Sequence, residues 1–416
     1  MNTGTYAGYG GTRVNRVLVG LAAAALLVGL PLIGVAINGD PVSMYLEFPP
    51  LTQHVRHAPF SWIAFCILAA GIAAALAPFV YRALRHRQQC AAQSAADAGG
   101  MRVPEPPSRV PHSAFRVPRF PSWGWAALVF GIAAWVLAWK HFDWFAPLQR
   151  FTFSPLWFAY IATVNALTFR RTGHCLLIDR PRYMLGLFAA SAVFWWYFEY
   201  LNRFVQNWYY VNCEGLTAPQ YFVFATLPFS TVLPAVMSTA ELLESFPRFA
   251  AGLTGFRPVT PARPRVAASL VLAAAAAGLA LLATWPSYLF PLLWLSPLLV
   301  LASLDTLAGR TNALDATRRG DWTAVARFAV AALICGLFWE MWNFWSLAKW
   351  RYSVPFVQKF HIFEMPILGY AGYLPFGLEC AIIAERVARW TGDPADPSDL
   401  SHGTGTCTGS AKDKEE

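Results

Sequence analysis

The sequence predicts an all-α integral membrane protein of about ten transmembrane helices, built as one N-terminal hairpin followed by two parallel four-helix repeats. Three observations carry that prediction: the composition, a series of lipid-length apolar runs punctuated by arginines, and a self-similarity within the chain. Of 416 residues, 56% are hydrophobic and only 13% charged, where an ordinary soluble domain has about 25% charge. A helix needs about 20 apolar residues to cross the hydrocarbon core, and it satisfies its own backbone there.

The first run, Val17 to Ile37, follows Arg13 and Arg16; it is longer than a signal-peptide core and lacks a small-x-small cleavage site, so it reads as an uncleaved helix. The second, Ser61 to Tyr81, stops at Arg82 and completes a hairpin over residues 1–85. A Pro-rich segment, 86–121, reads as a cytoplasmic linker. Runs three to six are Trp123 to Trp139, Phe153 to Phe169, Met184 to Phe204 and Tyr221 to Leu243, giving a first repeat over 122–250. Runs seven to ten are Val266 to Trp285, Leu289 to Leu307, Val325 to Trp345 and Pro366 to Ala384, giving a second repeat over 251–390. Residues 391–416 are polar and read as a disordered cytoplasmic tail.

Charge tests this division independently. With the N-terminus in the cytoplasm, the inward segments hold 25 of the 32 Lys and Arg residues and the outward ones 7, as expected of a multi-pass protein of the inner (plasma) membrane with both termini cytoplasmic. The net charge of +9 is thus a matter of topology. Because the arginines are spread over short loops rather than gathered on one face, the pattern speaks against nucleic acid as a partner.

The repeat shows in polar residues, which are scarce inside apolar runs. At an offset of 141 residues Glu199 matches Glu340 and Asn202 matches Asn343; at 142, Trp208 and Tyr210 match Trp350 and Tyr352. Four helices per unit is an even number, so the two units enter the membrane in the same sense.

These residues also form the candidate site. Glu and Asn three apart share a helical face, and an ionisable residue in a span faces a partner or a cavity. Arg203 stands four residues after Glu199, the spacing of a helical ion pair, whereas Phe344 occupies the matching place after Glu340. Glu340 is therefore expected to work as an acid or proton carrier, with Asn343, Glu199, Asn202 and Glu379 beside it. Trp339, Trp342, Trp345 and Trp196 are expected to wall a cleft for a flat or polyene-like ligand, although Trp and Tyr also gather at membrane interfaces. His54, His57, His141 and His361 fall outside with no helical HxxxH or HExxH spacing, so no metal is expected, and no cofactor fingerprint appears.

Three functions remain open on the sequence alone. One is an enzyme acting on a lipid or isoprenoid through intramembrane carboxylates. Another is a proton-coupled transporter, with Asn165, Glu241 and Asp305 continuing a pathway inward. The third is a non-catalytic assembly protein whose only established partner would be the bilayer.

Overall fold

The computed structural model describes residues 13–99 and 119–393. The greater part of the linker and the tail from 394 onward lie outside them. Ten principal helices follow one another: α1 Leu18–Asn38, α2 Trp62–Gly99, α3 Ser122–Lys140, α4 Phe153–Thr172, α5 Pro181–Val205, α6 Ala218–Glu244, α7 Pro264–Ala280, α8 Leu292–Leu307, α9 Thr323–Trp345 and α10 Ile367–Thr391. Seven of them, α1, α2, α3, α5, α6, α9 and α10, are long and apolar enough to cross a membrane; α7 and α8 are apolar but shorter. The structure is that of a helical membrane protein. Helix α2 continues past His86, where the linker was expected to begin, as far as Gly99.

Local chemistry sets the helix ends. Pro181 opens α5 at its first position, where a missing N–H costs nothing. Thr217 and Gln220 form a capping box at the start of α6, and the helix is interrupted between Phe229 and Val232, where Pro234 has no N–H to give the Ser230 carbonyl four residues back, so it runs as two segments. α5 ends on Gln206 at φ 48°, a left-handed backbone that glutamine rarely adopts. Its side chain holds the turn: Oε1 accepts from the N–H groups of His54 and Val55, and Nε2 donates to the Thr52 carbonyl, each at 2.8 Å.

The buried centre is made by α5, α6, α9 and α10. Helix α5 packs on α10 and α6, and α9 packs on α6 and α10; α3 lies on α4, and α7 on α8. Phe198, Phe204 and Phe376 are among the large side chains with essentially no exposure. α2 stands apart, with none of its apolar window buried, and touches the bundle chiefly at the first turn of α10.

The two ends of the bundle differ. At one end the chain leaves α5 into β1 (Trp208–Val211) and leaves α9 into β2 (Lys349–Tyr352), and the strands pair antiparallel. At the other end Arg82 donates to the carbonyls of Thr254 and Gly255, Arg171 to Ser245, Arg180 pairs with Asp393, and Arg327 with Glu244. The arginine-rich loops therefore share one end, opposite the strand ribbon.

Candidate functional site

The ribbon and the helix ends beneath it build two similar carboxylate clamps. In the first, Glu199 on α5 is 7% exposed, and its Oε1 accepts from Trp195 Nε1 at 3.0 Å, Trp208 Nε1 at 3.0 Å and the Tyr210 hydroxyl at 2.6 Å. In the second, Glu340 on α9 is fully buried, and its Oε1 accepts from the hydroxyls of Tyr352 at 2.6 Å and Tyr373 at 2.8 Å. Trp350 Nε1 in turn donates to the Tyr352 hydroxyl at 2.9 Å.

Each asparagine locks its helix to the following strand. Asn202 Nδ2 donates to the Trp208 carbonyl at 2.8 Å and its Oδ1 accepts the Trp208 N–H at 3.3 Å. Asn343 does the same for Trp350, at 2.8 and 2.9 Å. The strands then meet with Trp208 opposite Tyr352, Tyr209 opposite Arg351 and Tyr210 opposite Trp350.

One position shows how the clamps differ. The residue 141 places after Trp195 is Gly336, and a Cβ there would collide with the ring of Tyr373. Where the first clamp takes an indole donor from its own helix, the second leaves a gap in α9, and a tyrosine from α10 fills it and supplies the donor instead.

Two cavities adjoin the clamps. The larger, about 1270 Å³, lies between α2 and the bundle and is lined by apolar and aromatic groups, among them Ile67 and Gly71 of α2, Phe229, Trp294 and Trp339. The smaller, about 410 Å³, is polar and sits under the loop that joins α1 to α2, lined by Thr52, His57, Glu199, Arg203, Gln206 and Glu214. Trp208, Tyr210, Tyr221 and Tyr352 line both. Since all three donors to Glu199 converge on Oε1, its second oxygen is left for the smaller cavity.

The expected site residues are thus sorted. Glu199 and Asn202 line the smaller cavity, and Trp339 lines the larger; Glu340 and Asn343 line neither of the two. Glu379, six residues beyond Tyr373 on α10 and so about 9 Å deeper, accepts the Leu298 N–H of α8 and belongs to a separate contact. Trp342 is buried against Trp157, Trp196 stacks on Phe222, and Trp345 is 56% exposed. The ion pair expected between Glu199 and Arg203 does not form: the guanidinium turns outward to Glu47 Oε2 at 3.2 Å and the Met44 carbonyl at 3.1 Å. The first helical hairpin puts a carboxylate closer to it than its own helix does.

Two of the loop histidines, His54 and His57, bond backbone carbonyls at the end of α5. His57 Nε2 lies 2.6 Å from the Val205 carbonyl and Nδ1 2.6 Å from Ser353 Oγ, joining the α1–α2 loop to the ends of both α5 and β2. Burial holds His57 below its ordinary value of 6.5. The unfolded chain therefore takes up a proton that the folded loop refuses, and the stability this gives is full above about pH 6.5 and is lost as pH falls below it. Melting temperature in detergent should drop between about pH 7.5 and 5.5, and His57→Gln should lessen the drop. Parallel curves for the two proteins would contradict the assignment. His54 is depressed likewise, by burial first and then by Arg203, so His57→Gln removes only part of the slope.

Sequence reasoning missed Trp195, Tyr373 and the ligating role of Tyr210 and Tyr352. The matched Trp and Tyr at the 142-residue offset were the available signal. Comparison with known families, curated proteins and solved structures gives no match to this chain.

Proposed function

We propose that this chain is a ten-span enzyme of the cytoplasmic membrane that draws the apolar chain of a lipid or isoprenoid into the larger cavity and presents its polar end to Glu199. The observation that carries the reading is the shared wall: the apolar cavity and the polar one meet at Trp208, Tyr210, Tyr221 and Tyr352, with a carboxylate oxygen facing the polar side. A volume of about 1270 Å³ exceeds the usual range for compact ligands, roughly 300 to 1,000 Å³, and suits a long hydrocarbon. Its flank at α2, where that helix stands off the bundle, offers entry from the bilayer.

The same reading treats the halves as parallel repeats. The packing supports it, because exchanging α3–α6 with α7–α10 turns the most extensive neighbouring pairs into one another: α5 on α10 becomes α9 on α6, and α3 on α4 becomes α7 on α8. The strand pairing supports it as well, since Trp208 opposite Tyr352 exchanges with Trp350 opposite Tyr210. On this account the copies have divided their labour. Glu340, sealed behind Tyr352 and Tyr373, staples the ribbon, whereas Glu199, open to the polar cavity, acts as the proton-transferring group. The reading takes both termini as cytoplasmic, from the basic loops, so that the site would face the outer side.

Gly71 offers a direct test, because it lines the larger cavity and nothing lies within 4 Å of a Cβ placed on it. Gly71→Trp should fill the space without disturbing the fold. Lipid extracted from purified protein should contain a chain-bearing species enriched over the bulk membrane, and the variant should carry about tenfold less of it. Equal content in both proteins would refute lipid occupancy of the cavity.

A further inference from the structure

Resting on the lipid reading, we infer that the smaller cavity receives a head group that donates hydrogen bonds, an alcohol or an ammonium, and discriminates against phosphate. Charge carries the inference: the basic group of the cavity is already paired, and two carboxyl groups beside it are not. Among the described residues Arg203 is the one guanidinium in its lining, and that charge is met by Glu47. Glu47 is itself pinned: Thr52 donates to it through N–H at 3.0 Å and through Oγ1 at 2.9 Å. Partial burial acts to raise the Glu47 carboxyl, but the Thr52 hydrogen bonds and Arg203 outweigh it and hold the group below its ordinary value, so the pair stays ionised and internally neutral. Arg203 Nε, which lacks a partner, is sealed from accessible surface.

Several neighbouring donors are committed, whereas the Gln53 amide, the hydroxyls of Tyr209 and Tyr221 and Arg203 Nη1 make no hydrogen bond among the described residues. Gln206 gives its amide to Thr52, Asn202 gives its amide to Trp208, and both ring nitrogens of His57 are engaged. The ionisable groups left unpaired around the cavity are the carboxyls of Glu199 and Glu214, beside neutral amide and hydroxyl groups and aromatic faces. Glu199, more than nine-tenths buried, spends all three donors on Oε1, and Glu214 receives a single backbone N–H, from Asn212 at 3.3 Å. Around them stand the rings of Trp208, Tyr209, Tyr221 and Tyr352. A carboxylate among aromatic faces suits a cation or a hydroxyl donor. A phosphate would bring further acceptors to a cavity whose basic group is already paired, next to two carboxyl groups.

Detergent-purified full-length protein should be titrated with octadecanol, octadecylamine and octadecyl phosphate, following the rise in melting temperature. The alcohol and the amine should stabilise at least tenfold more potently than the phosphate, Gly71→Trp should abolish the response to both, and Glu214→Gln should weaken the amine about tenfold. Phosphate binding that equals or exceeds the other two and is sensitive to Gly71→Trp would overturn the head-group inference while leaving the lipid reading in place. If no probe produces a response that depends on Gly71, the lipid reading falls, and this inference with it.

Discussion

Gly336→Trp should abolish folded protein, and adding Tyr373→Val should restore it. The single variant drives an indole into the space occupied by the Tyr373 ring, where even a Cβ collides; overpacking of this kind costs on the order of 3 kcal/mol or more. It also displaces one of the two hydroxyls that Glu340 accepts from. The paired variant reproduces in the second half what the first half already has, with Trp195 on the clamp helix and Val232 at the place matching Tyr373. The introduced indole N–H then stands where Trp195 Nε1 stands toward Glu199. Size-exclusion profile and melting temperature of the three proteins decide the matter. A double variant no better folded than the single one would show that the two clamps are alike by coincidence.

Glu199 should separate stability from chemistry more sharply than any other residue. Glu199→Leu leaves Trp195 Nε1, Trp208 Nε1 and the Tyr210 hydroxyl without an acceptor. Each such loss in a buried site costs about 1–3 kcal/mol, so the ribbon end should unfold. Glu199→Gln keeps an oxygen for all three donors and should cost less than about 1 kcal/mol, yet it removes the proton, and consumption of the co-purified lipid should fall at least about 100-fold. Glu340→Gln should leave consumption near that of the wild type, because that group lines neither cavity. Equal loss of consumption in both glutamine variants would place the chemistry elsewhere, and unchanged consumption in Glu199→Gln would make both carboxylates staples.

The helices were legible in the sequence because a span is dictated by a local property, the length of an apolar run. Glu199, Asn202, Glu340 and Asn343 were legible for a related reason: polar groups inside such runs stand out by their cost. Their partners were not legible. The rule of four pointed Glu199 at Arg203, but a left-handed turn at Gln206 folds the chain back so that Trp208 and Tyr210 reach the carboxylate, and a loop 156 residues upstream claims the arginine. Tyr373 lies on another helix and reaches Glu340 only because Gly336 omits a side chain. The matched Trp and Tyr pairs, legible as an interfacial belt, are also the ligating groups. Helix-by-helix reading therefore finds the acids and misses the donors.

The ribbon imposes an order on biosynthesis. Strand β1 is complete some 140 residues before its partner β2, which at ordinary elongation rates is roughly 7 to 28 seconds. The Glu199 clamp needs nothing from downstream, since Trp195, Trp208 and Tyr210 all emerge together. The Glu340 clamp waits for Tyr373, later still. During the interval β1 presents an open edge whose register with β2 is one that a second copy of β1 could supply, Trp208 facing Tyr210 of the neighbouring nascent chain. The α1–α2 loop, synthesised first, bonds the end of α5 through Gln206 and His57 and waits for the later strand at Ser353.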